Sequence, residues 1–426
     1  GRAFCRIFAL QTITGMTLTE EKTYSIGGVG ALELVRKYGT PLYVYDEGIM
    51  RAQYSRLWNA FSGVEHKRIN FAMKALSNVN VLKIMRGYGS GIDAVSVNEA
   101  RLALSAGFLP SDIVFTPNGV CEAELDEAVA LGIHVNIDSL ETLSFFGDRY
   151  PGVPVGVRIN PHIYAGGNDK IAVGSRDSKF GISVEYAGRL EELVRGKNIN
   201  INGVHMHTGS DIYDVDIFLQ GAELLFSVAS RFPSVEYVDF GSGFKVPYKE
   251  GDKQTDIELL GARLSERFNA FSAQAPRKVR LMIEPGKFLV SRSGTLLVNV
   301  NWVKQTPAAM FAQVDSGLNH LIRPMMYDAY HHIINVSNPG GQARMYNVTG
   351  YICETDNFAR GREISEIRRG DTLAILNAGA YGYMMSSNYN SRFRPAEVMV
   401  KDGRDYLISR REELADLLAT QVDAGF

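Results

Sequence analysis

Ile69-Asn70-Phe71-Ala72-Met73-Lys74-Ala75 is the stretch whose reading decides the fold. Five residues without a charge read as a buried strand, and a lysine follows at once. Similar runs recur at Gly91–Val95, Ile113–Phe115, His134–Ile137, Val155–Ile159, Ile201–Met206, Tyr237–Phe240 and Val279–Ile283. Helix-like stretches lie between them, at Val97–Ala106, Glu122–Leu131, Ala187–Arg195, Ile217–Ser230 and Ile257–Ala273. This rhythm, from about Leu42 to Glu284, argues for parallel βαβ units. Eight such strands over roughly 250 residues predict an α/β fold of the (β/α)8, TIM-like barrel type. An open doubly wound sheet is the competitor, and the lack of G-x-G-x-x-G in the first βα turn weakens it.

Chemistry in such barrels gathers at the C-terminal ends of the strands. The first run ends in Lys74, and the second contains Asp93 and is followed by Ser96. The fifth ends in Arg158 and Asn160, and the sixth carries His205, His207 and Ser210. The seventh runs into Gly241-Ser242-Gly243, and the eighth into Glu284-Pro285-Gly286-Lys287. Six polar ends on apolar strands are hard to assign to chance.

After Lys287 the rhythm changes. Leu296–Lys304, Ala309–Asp315, Gln342–Ile352, Thr372–Leu376 and Glu397–Lys401 read as strands of a second, mostly β domain. The expected division is an extension over 1–15, an N-terminal segment over 16–39 that packs with the β domain, the barrel over 40–286 and the β-rich domain over 287–426. Met16 reads as a start, and Gly1–Gly15 makes a poor signal peptide, with no small-residue cleavage site after a long apolar stretch.

The composition fits an ordinary globular protein: 426 residues, 45% hydrophobic, 22% charged, net charge −2. No basic block supports nucleic-acid binding, and no apolar run approaches the roughly 18 residues of a membrane span. Three cysteines, Cys5, Cys121 and Cys353, include no close pair. That argues against a disulfide framework or a structural zinc site and for a reducing, cytoplasmic setting.

Single residues carry two readings each. Lys74 is a desolvated, nucleophilic amine or a lysine snorkelling from the barrel mouth. Gly241-Ser242-Gly243 lets backbone N–H groups approach a phosphate or makes a tight turn. Glu284 holds a pyridinium N–H or pairs with a barrel cation. His205 and His207, two apart on a strand, face one way. A metal pair lacks the usual partners, so one imidazole stacking on an aromatic cofactor and one core histidine is the better reading, with no metal expected. The polar stretch from Gly166-Gly167 to Gly174, then Ser178-Lys179-Phe180-Gly181, is a lid or surface decoration.

Together these motifs resemble the alanine-racemase-like, fold-type III pyridoxal-phosphate (PLP) decarboxylases, most closely the diaminopimelate decarboxylase branch, from about Gly39 to Val400. Phe71-Ala72-Met73-Lys74-Ala75 is similar to the family's cofactor-lysine strand. Val204-His205-Met206-His207-Thr208-Gly209-Ser210 is similar to its histidine strand, and Asp239-Phe240-Gly241-Ser242-Gly243 to its phosphate loop. Glu284-Pro285-Gly286-Lys287 is similar to its pyridinium clamp. The resemblance implies PLP carried covalently on Lys74, with Asp93, His207, Ser210, Gly241, Gly243, Glu284, Gly286, Lys287 and Tyr381 around it. It implies Arg323, Tyr327, Glu354, Lys287 and Tyr381 as substrate contacts. Cys353 and Glu354 would be donated across a homodimer with shared active sites, Cys353 as the catalytic acid beside Lys74 and His207. The implied reaction takes meso-2,6-diaminopimelate to L-lysine and CO2, the last step of lysine biosynthesis.

Two positions depart from the family pattern. Lys287 stands where the clamp usually has Arg, a point charge in place of a two-pronged fork. Ser242 replaces the middle glycine of the phosphate loop. The rival readings are an ornithine, arginine or polyamine-precursor decarboxylase, whose distal cation Arg323 would repel, a non-catalytic PLP-binding homologue, and a cofactor-free Schiff-base aldolase using Lys74.

Overall fold

The computed structural model describes residues 16–18, 23–163, 174 and 176–426. The residues before Met16 and most of the 166–174 stretch lie outside these. The described chain forms two compact units. One comprises Gln53–Val246 and Lys253–Phe288. The other comprises the described residues up to Ala52, Pro247–Asp252 and Leu289–Phe426.

The first unit holds eight parallel strands: β1 (Lys67–Ala72), β2 (Gly91–Ala94), β3 (Ile113–Phe115), β4 (His134–Ile137), β5 (Val155–Asn160), β6 (Ile201–Met206), β7 (Tyr237–Asp239) and β8 (Arg280–Ile283). Each pairs with the next, and β8 returns to β1 through Leu281↔Lys67 and Ile283↔Ile69, which closes the barrel. All eight runs read from the sequence are here. Closed parallel strands are covered on both faces, so they read as continuous apolar runs.

The helices obey elementary rules. Val215–Ala229 buries Val215, Phe218, Leu219, Ala222, Leu225 and Phe226, the i, i+3, i+4 spacing of one helical face. Asp214 caps its start by accepting from the backbone N–H groups of Asp216 (2.9 Å) and Ile217 (3.3 Å), a contribution of about 1 kcal/mol. Ser96, read among the polar strand ends, serves instead as the N-cap of Val97–Ser105, accepting from Glu99 N–H at 3.1 Å.

Side chains of alternate strand residues fill the barrel, and glycine leaves the room for the large ones. A Cβ on Gly203 would lie 1.9 Å from the Tyr237 ring, and one on Gly156 1.9 Å from Asn136 Oδ1. Tyr237 Oη donates to Asn136 Oδ1 at 2.7 Å, and Asn136 Nδ2 donates to Thr116 Oγ1 at 3.0 Å. In register, Tyr237, Gly203, Gly156 and Asn136 form one level, and Asp239, His205 and Arg158 lie two residues further along the same strands. The first level is therefore a floor beneath the second.

The other unit carries β9 (Gly294–Gln305), β10 (Met310–Val314), β11 (Ile333–Asn335), β12 (Ala343–Thr349), β13 (Asn357–Ser365), β14 (Thr372–Ile375), β15 (Ala396–Lys401) and β16 (Arg404–Ser409). Its sheet runs β13–β12–β10–β9, then the strand Leu42–Asp46, then β15–β16, with β14 joining β9 and β11. Leu42–Asp46, where the βα rhythm seemed to begin, thus pairs with β9 and β15. Its tyrosines explain the choice. Tyr43 and Tyr45 are fully buried, donating to His320 O (2.7 Å) and Glu397 Oε1 (2.8 Å). Met16, Ile26, Leu34, Leu42, Leu297 and Val398 share one core. No helix among the described residues is long and apolar enough to cross a membrane.

Candidate active site

β1 ends at Ala72, and Met73–Ala75 turns once as a 3-10 helix that lifts Lys74 off the strand. Ala72 N–H donates to Pro285 O at 3.2 Å, tying this turn to the segment that follows β8. Lys74 Nζ donates to Asp93 Oδ2 at 2.7 Å. Asp93 is only 2% exposed. Burial and the neighbouring Glu284 push its pKa up, and Lys74 opposes them.

Glu284, at the end of β8, is fully enclosed. His205 Nε2 lies 2.8 Å from its Oε2, and a carboxyl oxygen of Asp239 lies within 4.8 Å of both side chains. Burial alone would raise the Glu284 carboxyl; His205, Lys74 and Asp239 outweigh burial and bring it down to about 2. Asp239 goes the other way, raised well above the carboxylate range by burial and by Glu284. Of the two acids, Asp239 is therefore the one disposed to hold a proton and Glu284 the one disposed to stay ionised. Glu284 Oε1, Asp93 Oδ1, Asp239 Oδ2 and His205 Nδ1 are buried with no hydrogen-bond partner among the described residues. Unmet polar atoms at this depth are costly, and four at one barrel end mark a site shaped for a polar guest.

His205 and His207 were read as facing one way. They find different partners: His205 goes to Glu284, and His207 Nδ1 accepts from Ser242 N–H at 3.5 Å. Burial, then Arg158 and Lys74, holds the His207 imidazole well below the ordinary histidine range, so it is neutral. Gly241 and Gly243 are forced. A Cβ on Gly241 would lie 2.5 Å from Met206 O, one on Gly243 2.1 Å from Gly209 O, and both residues have positive φ (59° and 92°). The glycine loop thus lies directly against the His207–Ser210 segment. Gly286 is less tight: its Cβ would come within 3.2 Å of both Ala72 and Ala75. Lys287 forms a close ion pair with Asp211, which follows Ser210. Arg158, 7% exposed, stacks on Phe180 at 4.7 Å.

The barrel unit therefore brings Lys74, Asp93, His207, Ser210, Gly241, Gly243, Glu284, Gly286 and Lys287 to the C-terminal ends of its strands. These groups fit PLP: a lysine amine, a buried carboxyl with an unmet acceptor for a pyridinium N–H, and a glycine loop at positive φ, packed on the His207–Ser210 segment, whose backbone N–H groups suit a phosphate.

The remaining candidates lie in the β-rich unit. Arg323 and Tyr327 share the short helix Arg323–Tyr327. The Arg323 guanidinium lies 5.5 Å from the Tyr248 ring, and Tyr248 packs edge-on against His331 at 5.4 Å. His331, pushed down to about 3 by burial and by Arg323, is neutral and donates through Nδ1 to Leu376 O at 2.8 Å. Tyr381 takes a left-handed backbone (φ 55°). Cys353 and Glu354 are exposed on a turn that Asp356 organises by accepting from Leu318 N–H (2.7 Å) and Ile352 N–H (3.0 Å). Gly350 is required there, since a Cβ would lie 2.0 Å from Asp356 Oδ2. Tyr389 Oη donates to Glu354 Oε1 at 2.8 Å, and Asn390 Nδ2 to Cys353 Sγ at 3.5 Å.

Residues 48–291 match the family model described as "Pyridoxal-dependent decarboxylase, pyridoxal binding domain". A diaminopimelate decarboxylase of Methanothermobacter thermautotrophicus is 39% identical over 407 residues, 93% of this chain and 95% of that protein. The chain belongs to the diaminopimelate decarboxylases. The family's enzyme from Aquifex aeolicus is 35% identical, covering 93% of this chain and 95% of that protein. The solved diaminopimelate decarboxylase of M. jannaschii in complex with L-lysine superposes with a TM-score of 0.87 at 30% identity, over 96% of this chain and 98% of that one.

Three residues of this candidate site escaped sequence reasoning in their roles. Asp239 was read only as the start of the phosphate loop and proves to lie beside Glu284 and His205, its carboxyl pushed upward by burial and by Glu284. His205 was read as a bland core histidine and proves to be that anion's hydrogen-bond partner. Asp211 was not read at all, although it neutralises Lys287. For Asp211 the signal was present: an acid directly after Ser210, at a strand end already rich in polar groups.

Proposed function

We propose that the chain decarboxylates meso-2,6-diaminopimelate to L-lysine and CO2 with PLP held by the residues at the C-terminal ends of β1 to β8. The observation that carries this is the buried Glu284 carboxyl, braced by His205 at 2.8 Å, on the same barrel end as Lys74 and its Asp93 partner. Bound there, PLP supplies an electron sink for the pair left when CO2 departs. Lys74 is the amine that holds the cofactor and yields it to the substrate's amine. Asp93 keeps that amine placed by its 2.7 Å contact. Glu284 keeps a pyridine nitrogen protonated through its open Oε1, and His207, neutral, packs a ring without competing for a proton. Ser210 and the backbone of Gly241 and Gly243 receive a phosphate, with Gly286 leaving room beside it.

Lys287 is an ammonium already paired with Asp211, so it contributes a point charge of tempered strength where the family pattern has Arg. Arg323 pairs with the distal carboxylate, Tyr327 and Glu354 read the distal amine, and Tyr381 closes on the cofactor. The working unit is a homodimer with shared sites in the cytoplasm, in which Cys353 of the partner subunit protonates the carbon that lost CO2. The exposure of Cys353 and Glu354 on a braced turn supports that donation.

The test offers purified protein and PLP meso-diaminopimelate, ornithine and arginine separately, with CO2 release and chiral product analysis as readouts. L-lysine from meso-diaminopimelate alone is expected. Turnover of ornithine or arginine instead would overturn the substrate reading, and no turnover of any would overturn the activity.

A further inference from the structure

The N-terminal end of the barrel, beneath the Tyr237–Asn136 floor, holds a cavity of about 440 Å³. Cations dominate its wall: Arg68 from β1, Arg280 from β8, and Arg277 and Lys278 just before β8, with His134 from β4 between them. Glu236 is the one carboxylate among the lining residues, and the floor is the packed cluster Val114, Tyr237 and Met282. Arg68 is engaged by Asp112 at 2.8 Å, Arg277 by Glu236 at 3.3 Å and Lys278 by Glu65 at 3.8 Å. Arg280 makes no ion pair among the described residues, although it faces the same cavity.

The crowding is unfavourable as it stands. Arg280 is close enough to Arg68 to disfavour its charge, and both arginines disfavour a proton on His134. Neither arginine can relieve this by losing its proton at any ordinary pH. A cavity with an apolar floor, fixed cations on its wall and a neutral imidazole among them is complementary to a multiply charged anion. Lysine and arginine donors converge from two strands and the turn before β8, so the donors come from a rigid scaffold.

We propose that this N-terminal mouth binds a small multiply charged oxyanion, a phosphate group or a polycarboxylate, on Arg280, Lys278 and Arg68. The site is separated from the catalytic end by the Tyr237–Asn136 floor and owes nothing to the reaction proposed there.

The experiment uses the holoenzyme with its PLP fixed by borohydride reduction, so that no free phosphate site remains at the catalytic end. Inorganic phosphate, citrate and acetate are titrated calorimetrically at one ionic strength, into wild type and into the Arg280→Ala/Lys278→Ala variant. Both substituted residues are exposed, so the fold and, before reduction, the decarboxylase activity should be unchanged. Saturable binding of phosphate or citrate but not acetate is expected, weakened about tenfold or more in the variant. The tighter of the two probes identifies whether the site prefers a phosphate or a polycarboxylate. Absence of saturable binding to wild type, equal response to all three anions, or unchanged affinity in the variant would each overturn the proposal.

Discussion

The two mouths of the barrel are built on the same eight strands and carry opposite chemistry. At the C-terminal ends, Asp93, Asp239, Glu284 and His205 are buried with Lys74 and His207 half-buried beside them, and the carboxyls shift in opposite directions, Asp239 up and Glu284 down. At the N-terminal ends, Arg68, Arg277, Lys278 and Arg280 converge on a cavity with a single lining carboxylate. Carboxyl groups can share a proton when crowded, and guanidinium groups cannot. Crowded acids therefore make a tunable site, able to hold or yield a proton, whereas crowded arginines make a fixed positive field. That difference explains why bond-breaking belongs at one end and simple anion recognition at the other.

The comparison breaks most readily at Lys74. Lys74→Ala should abolish covalent PLP retention after borohydride reduction and lower kcat/KM by about a thousandfold or more. Peptide mass mapping of the reduced protein checks it, and PLP still attached to the chain would remove Lys74 from its role. The next largest effect concerns the floor that keeps the mouths apart. Gly203→Ala places a methyl where the Tyr237 ring already is, 1.9 Å away. Overpacking against an enclosed aromatic should cost about 3 kcal/mol, read as a lower denaturant midpoint; a loss below about 1 kcal/mol would mean that the floor is loosely packed.

Asp239 sharpens the claim that acids tune themselves. If Asp239 carries the proton, asparagine is its isostere: it still accepts from Gly241 N–H, as Asp239 Oδ1 does at 2.9 Å, and still donates to Glu284. Asp239→Asn should therefore change kcat less than about threefold, whereas Asp239→Ala should lower it about tenfold or more. The pH at which bound PLP changes its visible absorbance is a second readout, expected to move in the alanine variant and to hold in the asparagine variant. Equal damage from both substitutions would place the proton elsewhere.

How far the sequence carries this contrast depends on the kind of contact. The eight barrel strands were legible because burial on both faces leaves uninterrupted apolar runs. β13 and β16 were not, since Asn357–Ser365 carries Arg360, Arg362 and Glu363 and Arg404–Ser409 is half exposed, so no apolar run announces a strand. Lys74, His207, Glu284 and the glycine loop were legible as chemistry because each interrupts or ends a strand. The Asp239–Glu284–His205 linkage was not, because His205 and Glu284 meet across 79 residues of chain and only closure of the barrel brings them together. The N-terminal cations were in plain view, with Arg68, His134 and Arg280 each within two residues of a strand's start. They went unread because polar residues were weighed at the far end of each strand alone.

The smallest effect tests that neglected end without any ligand. Burial lowers the His134 pKa, and Arg68 and Arg280 lower it further, against weaker opposition from Glu236 and Asp112. A histidine held below its unfolded value of about 6.5 takes up its proton in the unfolded chain first. Its contribution to stability is therefore intact above that pH and is lost as pH falls below it. Removing the unpaired Arg280 relieves one of the repulsions, so in Arg280→Ala the His134 ring resonances should titrate at higher pH than in wild type. The stability gap between variant and wild type at pH 7 should stay within about 0.5 kcal/mol, as for an exposed side chain with no partner, and the variant should lose less on acidification. An unmoved His134 titration would mean that water screens Arg280 from the cavity, and with that the positive field at the N-terminal mouth would shrink to Arg68, Arg277 and Lys278, each of which already has an acidic partner.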